Sequence, residues 1–159
     1  MHYAILGVGA VVLLFFMAKQ VQAQAVPVSD IDNQIRIAAI VYGIEPAIVK
    51  AVCKVESNFN PRAKNPADPS YGLMQITPGL AYDYGLISDW KNPSQEEIER
   101  IYDVYNNLNV GCWFLSRLLD NYAFDQAIQS YNVGERGYFI GRRNYSYLNK
   151  VRSAYESYK

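Results

Sequence analysis

The chain has 159 residues, 50% of them apolar and 19% charged, which suits one folded domain with a sizeable core and excludes a disordered chain. Its 15 Lys and Arg residues balance 15 Asp and Glu residues, so no net charge draws it towards nucleic acid. The only histidine is His2, which removes every later metal site or catalytic base that needs one.

Tyr3 to Ala18 is an unbroken apolar run ending at Lys19. Apolar on all sides and placed at the N-terminus, it predicts an exporting leader or a membrane anchor, not a core helix. Val21-Gln22-Ala23 and Ala23-Gln24-Ala25 both fit a cleavage site. Residues 1–25 are therefore read as a signal peptide or anchor and 26–159 as one domain. In the oxidising compartment that export implies, the prediction is a Cys53–Cys112 disulfide, with two buried free thiols as the alternative.

The rest reads as all-α. Ser29 and Asp30 can cap a helix running towards Gly43, with Ile31, Ile35, Ala38 and Ala39 on one stripe. Pro46 opens a helix to about Ser57. A loop with Pro61, Pro66 and Pro69 follows, and Leu73 to Thr77 suits a short extended piece. Pro78 opens a short helix that stops near Gly85. Ser94-Gln95-Glu96-Glu97 is a capping box for a helix over 95–105. Residues 107–122 form the clearest helix, with Leu108, Cys112, Leu115, Leu119 and Tyr122 as its core stripe. Gly111 beside that stripe allows a close approach by another helix. Helices over 124–131 and 144–158 complete the domain, with Asn132-Val133-Gly134 between them.

One carboxylate stands on the wrong side of its helix. At ~100° per residue, Glu56 lies only ~40° from Val52 on the apolar side, and Lys50 and Lys54 face elsewhere. Burial raises a carboxyl pKa, and a carboxylic acid protonated near neutrality can donate to a leaving group. The plainer readings are a Glu that reaches water at the helix end, or one paired with an Arg from elsewhere. The 14 tyrosines likewise fit either amphipathic packing at the edge of a core or a sugar-binding groove.

The sequence around Glu56, Ala51-Val52-Cys53-Lys54-Val55-Glu56-Ser57-Asn58-Phe59-Asn60-Pro61, resembles the Glu-Ser motif of the soluble lytic transglycosylases, relatives of goose-type lysozyme. Gly72-Leu73-Met74-Gln75 matches their Gly-Leu-Met-Gln motif. Ser130-Tyr131-Asn132 is similar to their Ala-Tyr-Asn motif with Ser for Ala, and Tyr147-Leu148-Asn149-Lys150-Val151 to their final Tyr-Val-x-Lys-Val element. Two departures stand out. Arg143-Asn144 replaces a frequent Glu-Thr, which leaves Tyr145 as a rival to Tyr147, and Asn65 to Tyr71 is unusually rich in proline.

The resemblance implies a compact lysozyme-like domain and a lytic transglycosylase of peptidoglycan glycan strands, exported and facing the cell wall, in the periplasm, at a membrane or on a virion. Glu56 would be the catalytic acid and then base. Ser57 would hydrogen-bond at the cleavage site, Met74 and Gln75 would touch the sugar, Tyr131 and Asn132 would line the cleft, and Tyr147 would reach the carboxylate or the sugar. Met74 as core filler and Asn132 as a helix end are the plainer readings. No cofactor or metal is implied. The alternatives are a muramidase that hydrolyses the same bond, a non-catalytic glycan-binding subunit, and an interaction protein anchored through residues 3–18. By analogy, a short enzyme of this kind suits wall opening for a secretion, conjugation or phage apparatus.

Overall fold

The computed structural model describes residues 28–159, so the apolar run of residues 3–18 and the candidate cleavage sites lie outside it. The described residues form eight helices and no strand: α1 (Val28–Val41), α2 (Pro46–Ser57), α3 (Pro78–Tyr84), α4 (Gln95–Tyr102), α5 (Val104–Asn121), α6 (Phe124–Val133), α7 (Glu135–Phe139) and α8 (Tyr145–Tyr158).

Local chemistry sets most of these boundaries. Pro46 starts α2 with the fixed φ of a first helical turn and no amide hydrogen to satisfy. The capping box forms as expected: Ser94 Oγ accepts from Glu97 N while the Glu97 carboxylate accepts from Ser94 N. The next boundary differs from expectation. Asp103 ends α4 and caps α5, its Oδ1 accepting from Asn106 N at 3.0 Å, so α4 stops at Tyr102 and α5 starts at Val104. The first helix already includes Ser29 and Asp30, so neither is its cap. α6 extends through Asn132 to Val133, and Gly134, with φ at 75°, turns the chain straight into α7, which periodicity did not reveal. The expected extended piece at 73–77 is instead a tight turn closed by an antiparallel bridge between Tyr71 and Ile76.

The core lies where α2 packs on α8 and α1, and where α5 packs on α1, α4 and α6. Val49, Val52, Leu73, Ile76, Leu108, Leu115, Ile128 and Val151 fill it, all buried. The expected disulfide is absent: Cys53 and Cys112 are free thiols. Both are buried, and desolvation pushes the Cys112 thiol up to about 12. The two share one core, and Cys112 is near enough to add to the burial that raises the Cys53 thiol, yet their sulfurs are not bonded. No helix of the described residues is long and apolar enough to cross a membrane.

Candidate active site

Glu56 sits in the last turn of α2, which stops abruptly just beyond it. Asn58 and Phe59 both take left-handed φ angles, 52° and 63°, which L-residues adopt at a cost of about 1–3 kcal/mol each. Asn58 N bonds to Lys54 O at 3.1 Å, and Lys54 Nζ donates to Asn58 Oδ1 at 2.5 Å. The chain thereby leaves the helix within two residues, and Glu56 opens onto a groove.

Burial pushes the Glu56 carboxyl up to about 7, and the Tyr147 hydroxyl, donating to Oε1 at 2.6 Å, offsets only part of that rise. No neighbouring charge contributes. Glu56 is half-buried and lines the groove. This answers the choice left by the helical wheel: Glu56 neither reaches freely into water nor pairs with an arginine.

Tyr147 is fixed by a relay that the sequence did not disclose. Gln129, buried on α6, accepts from Asn144 N at 2.9 Å, and Asn144 Oδ1 caps α8 by accepting from Tyr147 N at 3.0 Å. Asn144 Nδ2 also donates to Asn132 Oδ1 at 2.9 Å. Tyr147 is 7% exposed and reaches the carboxyl, whereas its rival Tyr145 is 63% exposed.

The 71–76 turn forms the floor. Asn107 of α5, fully buried, is its hub. Its Oδ1 accepts from Met74 N at 2.8 Å, and its Nδ2 donates to Tyr71 O at 2.8 Å and Ile101 O at 2.9 Å. Gly72, at φ 78°, is required there because a Cβ would stand 2.3 Å from Asn107 Nδ2. Gly111 does admit a close neighbour, but it is the Met74 side chain, not a helix: a Cβ at 111 would lie 2.3 Å from Met74 Sδ. Sequence reasoning missed Asn107. Its signal was a polar residue one turn before Gly111 on a face that must be buried.

The remaining motif residues bind one another. Tyr131 hydroxyl donates to Met74 O at 2.9 Å. Ser57 Oγ reaches Leu73 O at 2.8 Å and Cys53 O at 3.1 Å, joining α2 to the turn. Gln75, at φ 50°, accepts from Ser70 Oγ at 2.8 Å and donates to Gly72 O at 3.0 Å. Met74 departs from its expected role, because its side chain has 0% exposure and so lies beneath the floor, out of reach of a sugar. Gln75, Tyr131 and Asn132 line the groove together with Glu56 and Ser57.

That groove has two joined lobes. The lobe holding Glu56 encloses about 510 Å³, and the next, about 630 Å³, shares Asp68, Gln75, Thr77, Tyr131 and Asn132 with it. Trp113, Phe114 and Tyr131 give the second lobe aromatic walls, and Arg117 there is paired with Glu135 at 2.7 Å. Among the described residues no three His, Cys, Asp or Glu side chains come together as a metal site.

The sequence model described as "Transglycosylase SLT domain" matches residues 33–153. Membrane-bound lytic murein transglycosylase C of Serratia proteamaculans is 32% identical over 90 residues, 55% of this chain and 24% of that protein. The protein of the same name from Photorhabdus laumondii is 34% identical over 91 residues, 57% of this chain and 25% of that one. The chain thus spans about a quarter of the length of these curated relatives. Its fold is similar to that of an inactive mutant of the lytic transglycosylase Slt from Pseudomonas aeruginosa, with a TM-score of 0.53 and 17% identity, over 79% of this chain and 22% of that one.

Proposed function

The chain belongs to the transglycosylase SLT family, and on that premise we propose that it cleaves peptidoglycan glycan strands as a lytic transglycosylase. The observation that carries this reading is a single carboxyl, held near pH 7 by burial and oriented by Tyr147 at 2.6 Å, at the base of an open groove.

The chemistry follows from that one group. With Tyr147 donating to Oε1, Oε2 carries the acid proton. Protonated Glu56 donates to the oxygen linking N-acetylmuramic acid to N-acetylglucosamine, and the bond to the anomeric carbon breaks as oxocarbenium character develops. The Glu56 carboxylate then takes the proton of the muramyl 6-hydroxyl, whose oxygen closes on the anomeric carbon. Glu56 ends protonated, as it began, and the product carries a 1,6-anhydro ring. A pKa near the working pH suits a group that must serve as acid and then as base. Most glycoside hydrolases flank the bond with two carboxyl groups, and among the described residues no second carboxyl group contributes to the shift of Glu56. Gln75, Tyr131 and Asn132 would position the sugar. Two of the relatives are named membrane-bound, and for this chain a location facing the cell wall, with residues 1–25 as exporting or anchoring segment, agrees with that.

The test is mass spectrometry of purified peptidoglycan digested by the protein and by Glu56→Gln. Anhydromuramic ends from the parent and none from the variant are expected. Reducing muramic ends would instead identify a muramidase, and an active Glu56→Gln would remove Glu56 from the chemistry.

A further inference from the structure

A second recess opens beside the catalytic groove, and the two share Lys54 and Val55. It is a shallow depression of about 930 Å³, widely open to solvent, between the end of α2 and the outer face of α8. Ser146, Asn149, Lys150 and Ser153 line it, recurring at helical spacing of three and four so that α8 presents one polar stripe, with Tyr158 at the far end. Lys54 faces this stripe from α2.

The charge of this recess contrasts with that of the aromatic lobe. The aromatic lobe carries Asp68, Asp83 and Glu135, and its one arginine is already paired. The recess is lined by two lysines and no carboxylate. Neither Lys54 nor Lys150 has a salt-bridge partner among the described residues, and Lys54 spends one ammonium hydrogen on Asn58 Oδ1, leaving two. Flat aromatic walls suit the faces of neutral sugars. Ammonium groups among hydroxyls and amides suit carboxylates, whose hydrogen bonds to cations are the stronger kind.

We infer that the recess between Lys54 and Lys150 binds the carboxylate-bearing peptide stem of the muramyl residue, while the aromatic lobe holds the uncharged glycan. This deepens the reading of the same site and rests on it. In peptidoglycan the N-acetylated sugars carry no charge, and free carboxylates belong to the peptide attached to the muramyl lactyl group. A muramyl residue placed for attack at Glu56 must send that peptide out of the groove, and the basic recess meets the groove that holds Glu56 at Lys54 and Val55.

The test compares two substrates: peptidoglycan with intact stems, and the same glycan stripped of peptide by an amidase and then converted to the neutral amide at the lactyl carboxyl that the amidase exposes. Lys150→Ala should lower kcat/KM on stem-bearing strands by about two- to fivefold, the size of one partly screened ion pair, chiefly through KM. Lys150→Glu should lower it further, Lys150→Arg should restore it, and all three should match the parent on stripped glycan. Equal losses on both substrates, or no loss on either, would overturn the assignment. A separate measurement needs no cleavage. An NMR titration of the parent with a reduced disaccharide peptide and with the reduced disaccharide amidated at its lactyl carboxyl should show tighter binding of the first, weakened by Lys150→Glu. Equal binding overturns the stem site even if the enzyme is active. A protein that binds the stem selectively but cleaves nothing refutes the activity and keeps the site.

Discussion

Replacing Glu56 by Gln should abolish cleavage and at the same time stabilise the protein, in a way that depends on pH. The carboxyl titrates near 7 in the folded protein against an ordinary value of 4.5. The folded state therefore holds the proton more tightly than the unfolded state. Its favourable contribution is fully present below about pH 4.5, declines as pH rises towards 7, and is gone above it. The full shift corresponds to at most about 3 kcal/mol, and contact with water in the groove reduces that to about 2 kcal/mol. Gln keeps the shape and still accepts from the Tyr147 hydroxyl, but it never has to hold a charge there. Urea unfolding of parent and variant at pH 5 and pH 8 should show the variant more stable by about 2 kcal/mol at pH 8, with little difference at pH 5. A stability difference independent of pH, or one larger at pH 5, would refute the view that burial governs this carboxyl.

Tyr147→Phe removes the one group that lowers the Glu56 pKa, so the alkaline limb of the pH–rate profile should move upward by about one unit, with a reduced plateau. Gly111→Ala should displace Met74 and the turn that carries Gln75, costing about 1–3 kcal/mol in thermal unfolding and most of the activity. Ser130, buried with an unpartnered hydroxyl, should gain about 1 kcal/mol in urea unfolding when changed to Ala, with activity retained.

What was legible in the sequence was what local chemistry determines. Ser94 and Glu97 announce a helix start because both partners lie within one turn. Pro46 and Gly85 mark their boundaries for the same reason. A break between these helices was expected near residue 106, but its position at Asp103 was hidden because Ile101, Val104 and Leu108 keep helical spacing across it. Tyr147 could have been chosen over Tyr145: only Tyr147 stands four residues before Val151, on the stripe that α8 buries. The disulfide failed for a different reason. Two cysteines in a chain read as exported satisfy compartment and parity, but whether sulfurs bond depends on helix packing that no short window encodes.

The same distinction changes what the motif residues mean. Read as a string, Ser57, Met74, Gln75, Tyr131 and Asn132 look like a set of ligand contacts. In the fold most of their polar groups are engaged within the protein: Ser57 on Leu73 O, Tyr131 on Met74 O, Gln75 on Ser70 and Gly72, Asn132 on Asn144. Met74 offers the groove no side chain at all. These bonds join α2, the 71–76 turn, α6 and α8, and each element carries part of the wall around Glu56. The motif is thus chiefly the record of a scaffold that holds one carboxyl half-dry beside one tyrosine. Preorganisation of that kind acts on the transition state more than on ground-state binding. Damage to the scaffold should therefore appear mainly in kcat, whereas loss of the lysine recess should appear in KM.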